Sequence, residues 1–343
     1  MLPIIGITMG DPASIGPEIT LKVLNRKKIY EICRPIVVGD ADILENAKKY
    51  VKLPHLKINR ISNIKDALFK EGTIDVYDMR IIDSKDLKIG TVSSEAGNAA
   101  YEYVRKVIEL AKAKEIDATV TNALNKEALN LAGHHYSGHT EIYSHLTDTN
   151  KYTMMLVHEN LRVVHVSTHV SLREACDLCK KDRIYDVIKI ANDACKKIGI
   201  LNPRIGVAGL NPHCGENGLF GVEEQREITP AIEQARNEGF NVTGPIPPDT
   251  IFSKAIGGWY DIVVSMYHDQ GHIPLKVIGF VYDRKLQKWK EVSGVNITLG
   301  LPIIRCSVDH GTAFDQAGTG KASDLSLMNA IEYAIKMVKN KNN

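Results

Sequence analysis

Short runs of apolar and β-branched residues alternate along this chain with longer stretches in which apolar residues recur at helical spacing. The apolar runs cover residues 3–9, 34–38, 118–123, 162–167, 204–210 and 261–266. The helical patterns cover residues 96–116, 172–198 and 225–238, and a further helix opens at Pro17. Strands that alternate with helices build βαβ units, so the pattern predicts an α/β fold around a largely parallel sheet.

Length and composition narrow the class of protein. At about 150 residues per domain, a chain of 343 residues suggests two domains. An apolar content of 44% and a charged content of 24% are ordinary for a globular protein, which excludes disorder, collagen and coiled coil as the main description. The net charge of +2 gives no reason to expect a nucleic-acid or membrane partner.

The sequence also lacks the usual signs of a membrane or secreted protein. No run approaches the roughly 18 apolar residues of a membrane span, and residues 1–7 predict a buried strand rather than a signal peptide. We therefore expect a cytoplasmic protein. The lone C-x-x-C of Cys176 and Cys179 falls in a helical pattern, which favours packing over redox or zinc chemistry.

Three predicted strands are each followed closely by a histidine, namely His169, His213 and His268. A single histidine in such a place is more often a structural residue with a hydrogen bond. Three in equivalent places at one edge of a sheet favour a site, because the carboxyl ends of parallel strands collect there. Three neutral imidazoles suit a divalent metal and leave positions open for a substrate. Without an H-E-x-x-H motif, this site must assemble from distant segments.

Other polar residues could face a ligand. His139 and Thr140 follow a glycine, in a segment that is either a ligand-binding turn or a plain loop. Lys276, Asn296 and Arg305 lie near predicted strand ends; lysine and arginine are the usual partners of phosphate and carboxylate, although each residue alone is more often a surface group. No G-x-G-x-x-G follows a strand, and the string at residues 318–321 departs from a P-loop.

Several long segments, in order, resemble the 4-hydroxythreonine-4-phosphate dehydrogenase family. They are TMGDPASIGPE, SGHTE, STHVSLREA, GLNPHCGE, GPIPPDTIF, MYHDQGHIPLK and VNITLGLPIIRCSVDHGTAFDQAGTGKA. Together they span nearly the whole chain. HHYSGHTE, THVSLREAC and the longer segment before VSGVNITLG look like the branch that acts on 4-phospho-D-threonate.

The resemblance implies a fold similar to the isocitrate and isopropylmalate dehydrogenases, with two α/β/α domains that flank a cleft. It places the first domain at residues 1–133 and 297–343 and the second at residues 134–296, which carries metal and dimer contacts. It also implies a homodimer with a shared active site.

The resemblance further implies a role for each candidate residue. The metal ligands fall on His169, His213 and His268, the third ligand coming from the partner subunit. The substrate positions fall on His139, Thr140, Lys276, Asn296 and Arg305. The adenosine-contacting loop falls on His310, Gly311, Thr312 and Ala313, in a fold that binds NAD without G-x-G-x-x-G.

The implied activity is an NAD-dependent, metal-dependent oxidation and decarboxylation of 4-phospho-D-threonate to dihydroxyacetone phosphate. Alternative substrates are 4-hydroxythreonine 4-phosphate, of pyridoxal phosphate synthesis, and 4-phospho-D-erythronate. A phosphotransacetylase-like acyltransferase is the rival from another class. The metal could be zinc, cobalt, nickel, manganese or magnesium. One departure stands beside the substrate positions: around Tyr282–Glu291 the chain is longer than we expect for the biosynthetic enzyme.

Overall fold

A computed structural model of the chain describes residues 1–284 and 288–340. The strands within these residues are β1 (Ile4–Thr8), β2 (Arg34–Gly39), β3 (Lys57–Ile61), β4 (Thr73–Asp78), β5 (Ala118–Thr121), β6 (Thr153–His158), β7 (Leu161–His165), β8 (Ile205–Ala208), β9 (Val242–Ile246), β10 (Ile262–Ser265), β11 (Phe280–Asp283), β12 (Lys288–Val292), β13 (Val295–Leu299) and β14 (Arg305–Val308).

The α-helices are α1 (Gly16–Leu24), α2 (Lys27–Ile32), α3 (Ala41–Val51), α4 (Ser94–Lys112), α5 (Lys126–Leu131), α6 (His139–Leu146), α7 (Leu172–Leu178), α8 (Lys181–Lys197), α9 (Thr229–Asn237), α10 (Pro248–Ile256), α11 (His268–Gly279) and α12 (Leu325–Lys339). Among the described residues, no helix has both the length and the apolar composition that crossing a bilayer requires.

The chain divides into two compact units. The first unit comprises Met1–Thr149 and Leu301–Lys339, and the second comprises Asn150–Gly300 with Asn340. The first unit therefore takes residues 134–149, which the sequence-based boundary assigned to the second domain. The reason is packing, because α6 lies in that segment and contacts α4 of the first unit.

The sheet of the first unit is entirely parallel, in the strand order β3-β4-β2-β1-β5-β14. Four of the five residues of β1 are buried, which fits a central strand covered by helices on both faces. Gly6 in this strand has no room for a side chain: an added Cβ would lie 2.5 Å from Ile116. The parallel arrangement brings the carboxyl ends of these strands to one edge.

The second unit is mixed, in the order β13-β6-β7-β10-β8-β9. Strands β13, β6 and β7 are antiparallel neighbours, whereas β7, β10, β8 and β9 are parallel. A separate antiparallel pair, β11 with β12, occupies the segment around Tyr282–Glu291. Residues 285–287 of that segment lie outside the described residues.

One predicted helix is interrupted. The pattern over 172–198 predicted a single helix, but α7 ends before Cys179 and α8 starts at Lys181. The Cys179 side chain is buried, with its sulfur 3.6 Å from that of Met266. The backbone N–H of Lys181 donates to the Glu227 carboxylate at 2.8 Å. These tertiary contacts hold the break, and periodicity alone cannot reveal them.

Candidate active site

The carboxyl ends of β7 and β10 meet at an open pocket of about 530 Å³ in the second unit. Its lining comprises residues 168–172, 174, 175 and 267–269. Two of the histidines singled out from the sequence are in this set, His169 and His268, and their ring centroids lie 6.1 Å apart. They are 99 residues apart in the sequence, and the pairing of β10 with β7 brings them together.

This pair fits two ligands of one metal ion. Imidazoles that share an ion at a metal–nitrogen distance of about 2.1 Å have ring centroids roughly 5–6 Å apart. The lining does not include His213, whose ring lies 6.3 Å from that of Phe220. Across residues 1–284 and 288–340, no three histidine, cysteine, aspartate or glutamate side chains converge on a position for an ion. A single copy of the chain thus brings together the first and the third of the predicted ligands, whereas the family resemblance implies that the third comes from the partner subunit.

The neighbour of His268 sets which ring nitrogen can bind a metal. Nδ1 of His268 lies 2.7 Å from a carboxylate oxygen of Asp269. An ionised carboxylate only accepts hydrogen bonds, so the proton of the neutral imidazole is placed on Nδ1. The lone pair then resides on Nε2. Carboxylates orient metal-binding histidines in this way in many proteins.

Two further histidines, which the sequence reasoning missed, continue from His268 into the interior. The His272 ring stacks on His268 with centroids 3.6 Å apart, and His165 follows at 4.7 Å from His272. Burial lowers the pKa of His165 to about 3 and that of His272 to about 4, with other histidines of the row adding to both shifts. For His272 the signal in the sequence was its spacing from His268, because residues four apart share a helix face.

The first unit brings His139 and Arg305 close together. Arg305 is buried at the start of β14, and its Nη2 donates to the Thr121 hydroxyl at 2.9 Å. Burial lowers the pKa of Arg305. Burial and then the Arg305 guanidinium hold the pKa of His139 well below its usual value. His139 is therefore an uncharged imidazole beside a buried cation, with Nε2 enclosed and without a hydrogen-bond partner among the described residues.

Thr140, the second residue of α6, is half-buried beside His139. The two remaining substrate candidates belong to the second unit. Lys276 lies two turns after His268 on α11, and its Nζ is 4.2 Å from the centroid of the Phe280 ring. Asn296 is half-buried in β13, with its Nδ2 2.8 Å from the sulfur of Met154.

The predicted cofactor residues form the loop after β14, at the carboxyl edge of the parallel sheet in the first unit. The carbonyl of Thr312 accepts from the backbone N–H of Ile15 at 3.2 Å. The buried Glu18 carboxylate accepts from the N–H groups of Gly318 and Gly320, which ties the loop to α1. His310 Nδ1 lies 2.9 Å from the Gly311 carbonyl, and Ala313 has a positive φ of 45°. An added Cβ at Gly311 meets no atom within 4 Å, so open space lies beside this backbone.

A family model, curated relatives and solved structures all place this chain in the same family. Residues 31–334 match the family described as pyridoxal phosphate biosynthetic protein PdxA. A protein of Oceanobacillus iheyensis, provisionally named D-threonate 4-phosphate dehydrogenase, is 49% identical over 342 residues, which cover 99% of both chains.

Solved structures agree in both sequence and fold. A 4-hydroxythreonine-4-phosphate dehydrogenase from Klebsiella pneumoniae has a TM-score of 0.85 and 45% identity, covering 98% of this chain and 99% of that chain. The enzyme of the same name from Burkholderia phymatum has a TM-score of 0.82 and 46% identity, covering 98% of each chain. The two-unit α/β architecture is thus that of a dehydrogenase class. The chain belongs to the PdxA family.

Proposed function

We propose that this chain catalyses the NAD-dependent oxidation and decarboxylation of 4-phospho-D-threonate to dihydroxyacetone phosphate, assisted by a divalent metal. One observation carries the proposal: His169 and His268, which the family resemblance assigns as metal ligands, line one pocket with ring centroids 6.1 Å apart. The name of the Oceanobacillus relative supports the choice of a threonate phosphate as substrate.

His169 and His268 would hold the metal, and His213 would belong to the same ligand set in a site that two copies of the chain share. A bound divalent cation supplies Lewis acidity, which makes an alcohol easier to deprotonate and stabilises negative charge on oxygen. Asp269 keeps the proton of His268 on Nδ1, so Nε2 remains a ligand.

The substrate carries a phosphate and a carboxylate, and both need cationic or hydrogen-bonding partners. Arg305 provides a guanidinium held by Thr121, and His139 provides an uncharged imidazole with an enclosed nitrogen. Thr140, Lys276 and Asn296 complete the proposed substrate-binding set. Because Arg305 is buried, its attraction for an anion is screened less than that of a surface arginine.

In the proposed reaction the C3 hydroxyl of the acid would lose its proton to solvent and C3 its hydride, and the His310–Ala313 loop would hold the NAD that accepts the hydride. The resulting 3-oxo acid is a β-keto acid, which loses its carboxylate as carbon dioxide. C2 then takes up a proton from solvent, and three carbons with the phosphate remain, as dihydroxyacetone phosphate. This chain's residues bind and orient the acid throughout both steps.

Two alternatives use the same site residues. 4-Hydroxythreonine 4-phosphate carries an amino group where 4-phospho-D-threonate carries a hydroxyl, and the solved relatives bear the name of that activity. 4-Phospho-D-erythronate differs from the threonate in stereochemistry. An acyltransferase on a similar fold has no reason to place histidines at the ends of neighbouring strands.

The direct test is NADH formation, followed at about 340 nm, with each of the three phosphorylated acids, with and without a chelator. We expect turnover with 4-phospho-D-threonate, dihydroxyacetone phosphate as the product in NMR spectra, and loss of turnover after chelation. NADH from none of the acids would exclude the dehydrogenase, and turnover that survives metal removal would exclude the role of the metal.

Mixing inactive variants tests whether the site is shared. His169→Ala, His213→Ala and His268→Ala are combined in pairs after gentle dissociation and reassociation. If one ligand comes from a partner subunit, at least one pair recovers about a quarter of the wild-type activity, because half of the random dimers are hybrids with one intact site. If no pair recovers activity, all three ligands act within one chain.

A further inference from the structure

We propose that His272 is a positioning residue for His268: its ring stacks on the His268 ring and holds that ring in one plane at the wall of the pocket. This inference rests on the proposed function, because such a role matters only if His268 binds an ion. His272 itself is not among the residues that line the pocket.

The contact between the two rings follows from helix geometry. His272 lies one turn after His268 on α11, so the side chains share a face. Their ring planes are only 14° apart, and the centroid distance of 3.6 Å is that of full stacking. His272 Nδ1 is 2.9 Å from the His268 carbonyl oxygen. A carbonyl only accepts, so this bond places a proton on Nδ1 and fixes the His272 ring.

The His272 ring also contacts a second imidazole. His165 contacts it with a centroid distance of 4.7 Å and is itself 1% exposed. Helix α11 approaches this strand so closely that only glycine fits at position 271, where an added Cβ would lie 2.3 Å from His165 Nε2. The close approach at Gly271 keeps α11 against this strand, and the His272 ring contacts two imidazoles, which limits the orientations that it can take.

Packing alone gives a poor account of this arrangement. His165 Nε2 is buried without a hydrogen-bond partner among the described residues, which costs free energy. The apolar side chain of Val163 lies near the same point, since an added Cβ at Gly271 would meet both it and His165, so an aliphatic side chain in place of His165 would avoid that cost. An aromatic ring at position 272 is explained by its contact with His268, because a planar ring stacks face to face on the planar His268 imidazole.

Asp269 and His272 then constrain the His268 ring in different ways. Asp269 bonds Nδ1 and sets the tautomer, while His272 covers one face of the ring and limits its rotation. Residues that orient a ligand without touching the metal typically change its affinity by about 10–100-fold when they are replaced.

The experiment measures Co²⁺ binding to the metal-free, full-length protein by calorimetry and by the visible absorption of bound cobalt. Three variants are compared with wild type: His272→Leu, which removes the ring; His272→Phe, which keeps a stacking ring without the nitrogens; and His134→Leu. The last is a matched control, because His134 stacks on Tyr101 in the first unit with centroids 3.8 Å apart. Thermal unfolding confirms that each variant folds, and His272→Met replaces the leucine variant if that one does not.

We expect His272→Leu to weaken Co²⁺ binding by about tenfold or more. His272→Phe should stay within about threefold of wild type and His134→Leu within about twofold. The metal concentration needed for half-maximal turnover should rise in parallel, with KM for NAD unchanged. Equal affinity in His272→Leu and wild type overturns the positioning role, and so does a phenylalanine variant as weak as the leucine variant. Absence of Co²⁺ binding in wild type overturns the metal proposal, and the positioning role with it.

Discussion

The two units carry different chemistry at the carboxyl ends of their parallel strands. In the first unit, acidic and amide side chains stand at or just after the strand ends, namely Asp11, Asp40, Asp78 and Asn122. In the second unit, the corresponding places after β7, β8 and β10 are taken by His169, His213 and His268.

The strand-end side chains of the two units differ in how far they are buried. The Asp40 side chain is buried and accepts from the backbone N–H groups of Ile81 and Ile82, and buried Asn122 donates to the carbonyl of Thr8. His169 is exposed, and the side chain of His268 keeps 38% of its surface accessible. A polar group at a strand end thus fixes a loop when backbone partners satisfy it, and can bind a ligand when it lines an open pocket.

The largest effect should follow removal of a pocket histidine. We expect His169→Ala and His268→Ala each to weaken Co²⁺ binding by at least about 100-fold and to lower kcat/KM by at least about 1,000-fold, because each removes a metal ligand. The control is His55→Ala, an exposed histidine whose ring bonds to Asn25, with no expected change. Calorimetry and NADH formation measure both quantities. Near-normal turnover in either pocket variant would contradict the assignment.

The next effect concerns two arginines, Arg305, which is buried in the first unit, and Arg183, which is half-buried in the second. Arg305→Met should raise KM for the phosphorylated acid by about 100-fold, since it removes a buried cation that the substrate anion needs. Arg183 is the comparison, because it donates to the carbonyls of Val166 and Tyr152 and so has a structural role. Arg183→Met should instead lower the free energy of unfolding by about 1–3 kcal/mol with little change in KM. Steady-state kinetics measures KM, and urea unfolding measures the free energy of unfolding. If both variants changed the two quantities alike, the proposed difference between a substrate-binding and a structural arginine would be wrong.

Substitution of a buried carboxylate in the first unit should change the free energy of unfolding, and the shift of its pKa determines whether stability rises or falls. Burial raises the pKa of Asp11 from 3.8 to about 6, partly offset by the N–H of Ala13. Between these values the native state keeps a proton that the unfolded chain has lost, so stability falls as pH rises through this window. Asp11→Asn should therefore raise the free energy of unfolding by about 1–3 kcal/mol at pH 8, and by less near pH 4.5.

Urea unfolding at the two pH values measures the Asp11 effect. Asp75→Asn is the control, because its expected effect on the free energy of unfolding has the opposite sign. The Asp75 carboxylate accepts from the backbone N–H groups of Leu68 and Phe69, so its substitution should lower the stability of the protein. A gain that is equal at both pH values would show that the effect in Asp11→Asn does not come from the proton.

The smallest effect should come from the carboxylate next to the pocket. Asp269→Asn keeps the shape of the side chain but weakens its hold on His268 Nδ1, so Co²⁺ binding should weaken by about tenfold or less. The side chain of Asp269 is 70% exposed, which limits the strength of its bond. Cobalt titration measures the change, and an effect as large as that of His268→Ala would mean that Asp269 is itself a ligand.

The general fold could be predicted from the sequence. Each apolar run used for the prediction overlaps one strand, and these strands are β1, β2, β5, β7, β8 and β10. The match follows because a strand covered on both faces requires a continuous apolar stretch. Strands outside these runs were not predicted, among them β3, with its exposed and half-buried residues, and the fully buried β6. The break between α7 and α8 also could not be foreseen, since distant residues hold it.

The sequence predicts candidate site residues one by one but not how they group in the fold. Strand-end position and family resemblance singled out both His169 and His268, and they share a pocket. Neither signal separated them from His213, which lies outside that pocket. The spacing of His272 was visible in the sequence, but its stacking depends on the close packing at Gly271.

By itself the sequence determined the α/β class, the family and the residue types that can bind a metal or an anion, because these depend on local periodicity and on the identity of side chains. Only the tertiary structure decided which histidines are neighbours and which carboxylates are buried. Strands β7 and β10 are far apart in sequence, and their pairing depends on how the whole unit buries its apolar surface, which no local pattern specifies.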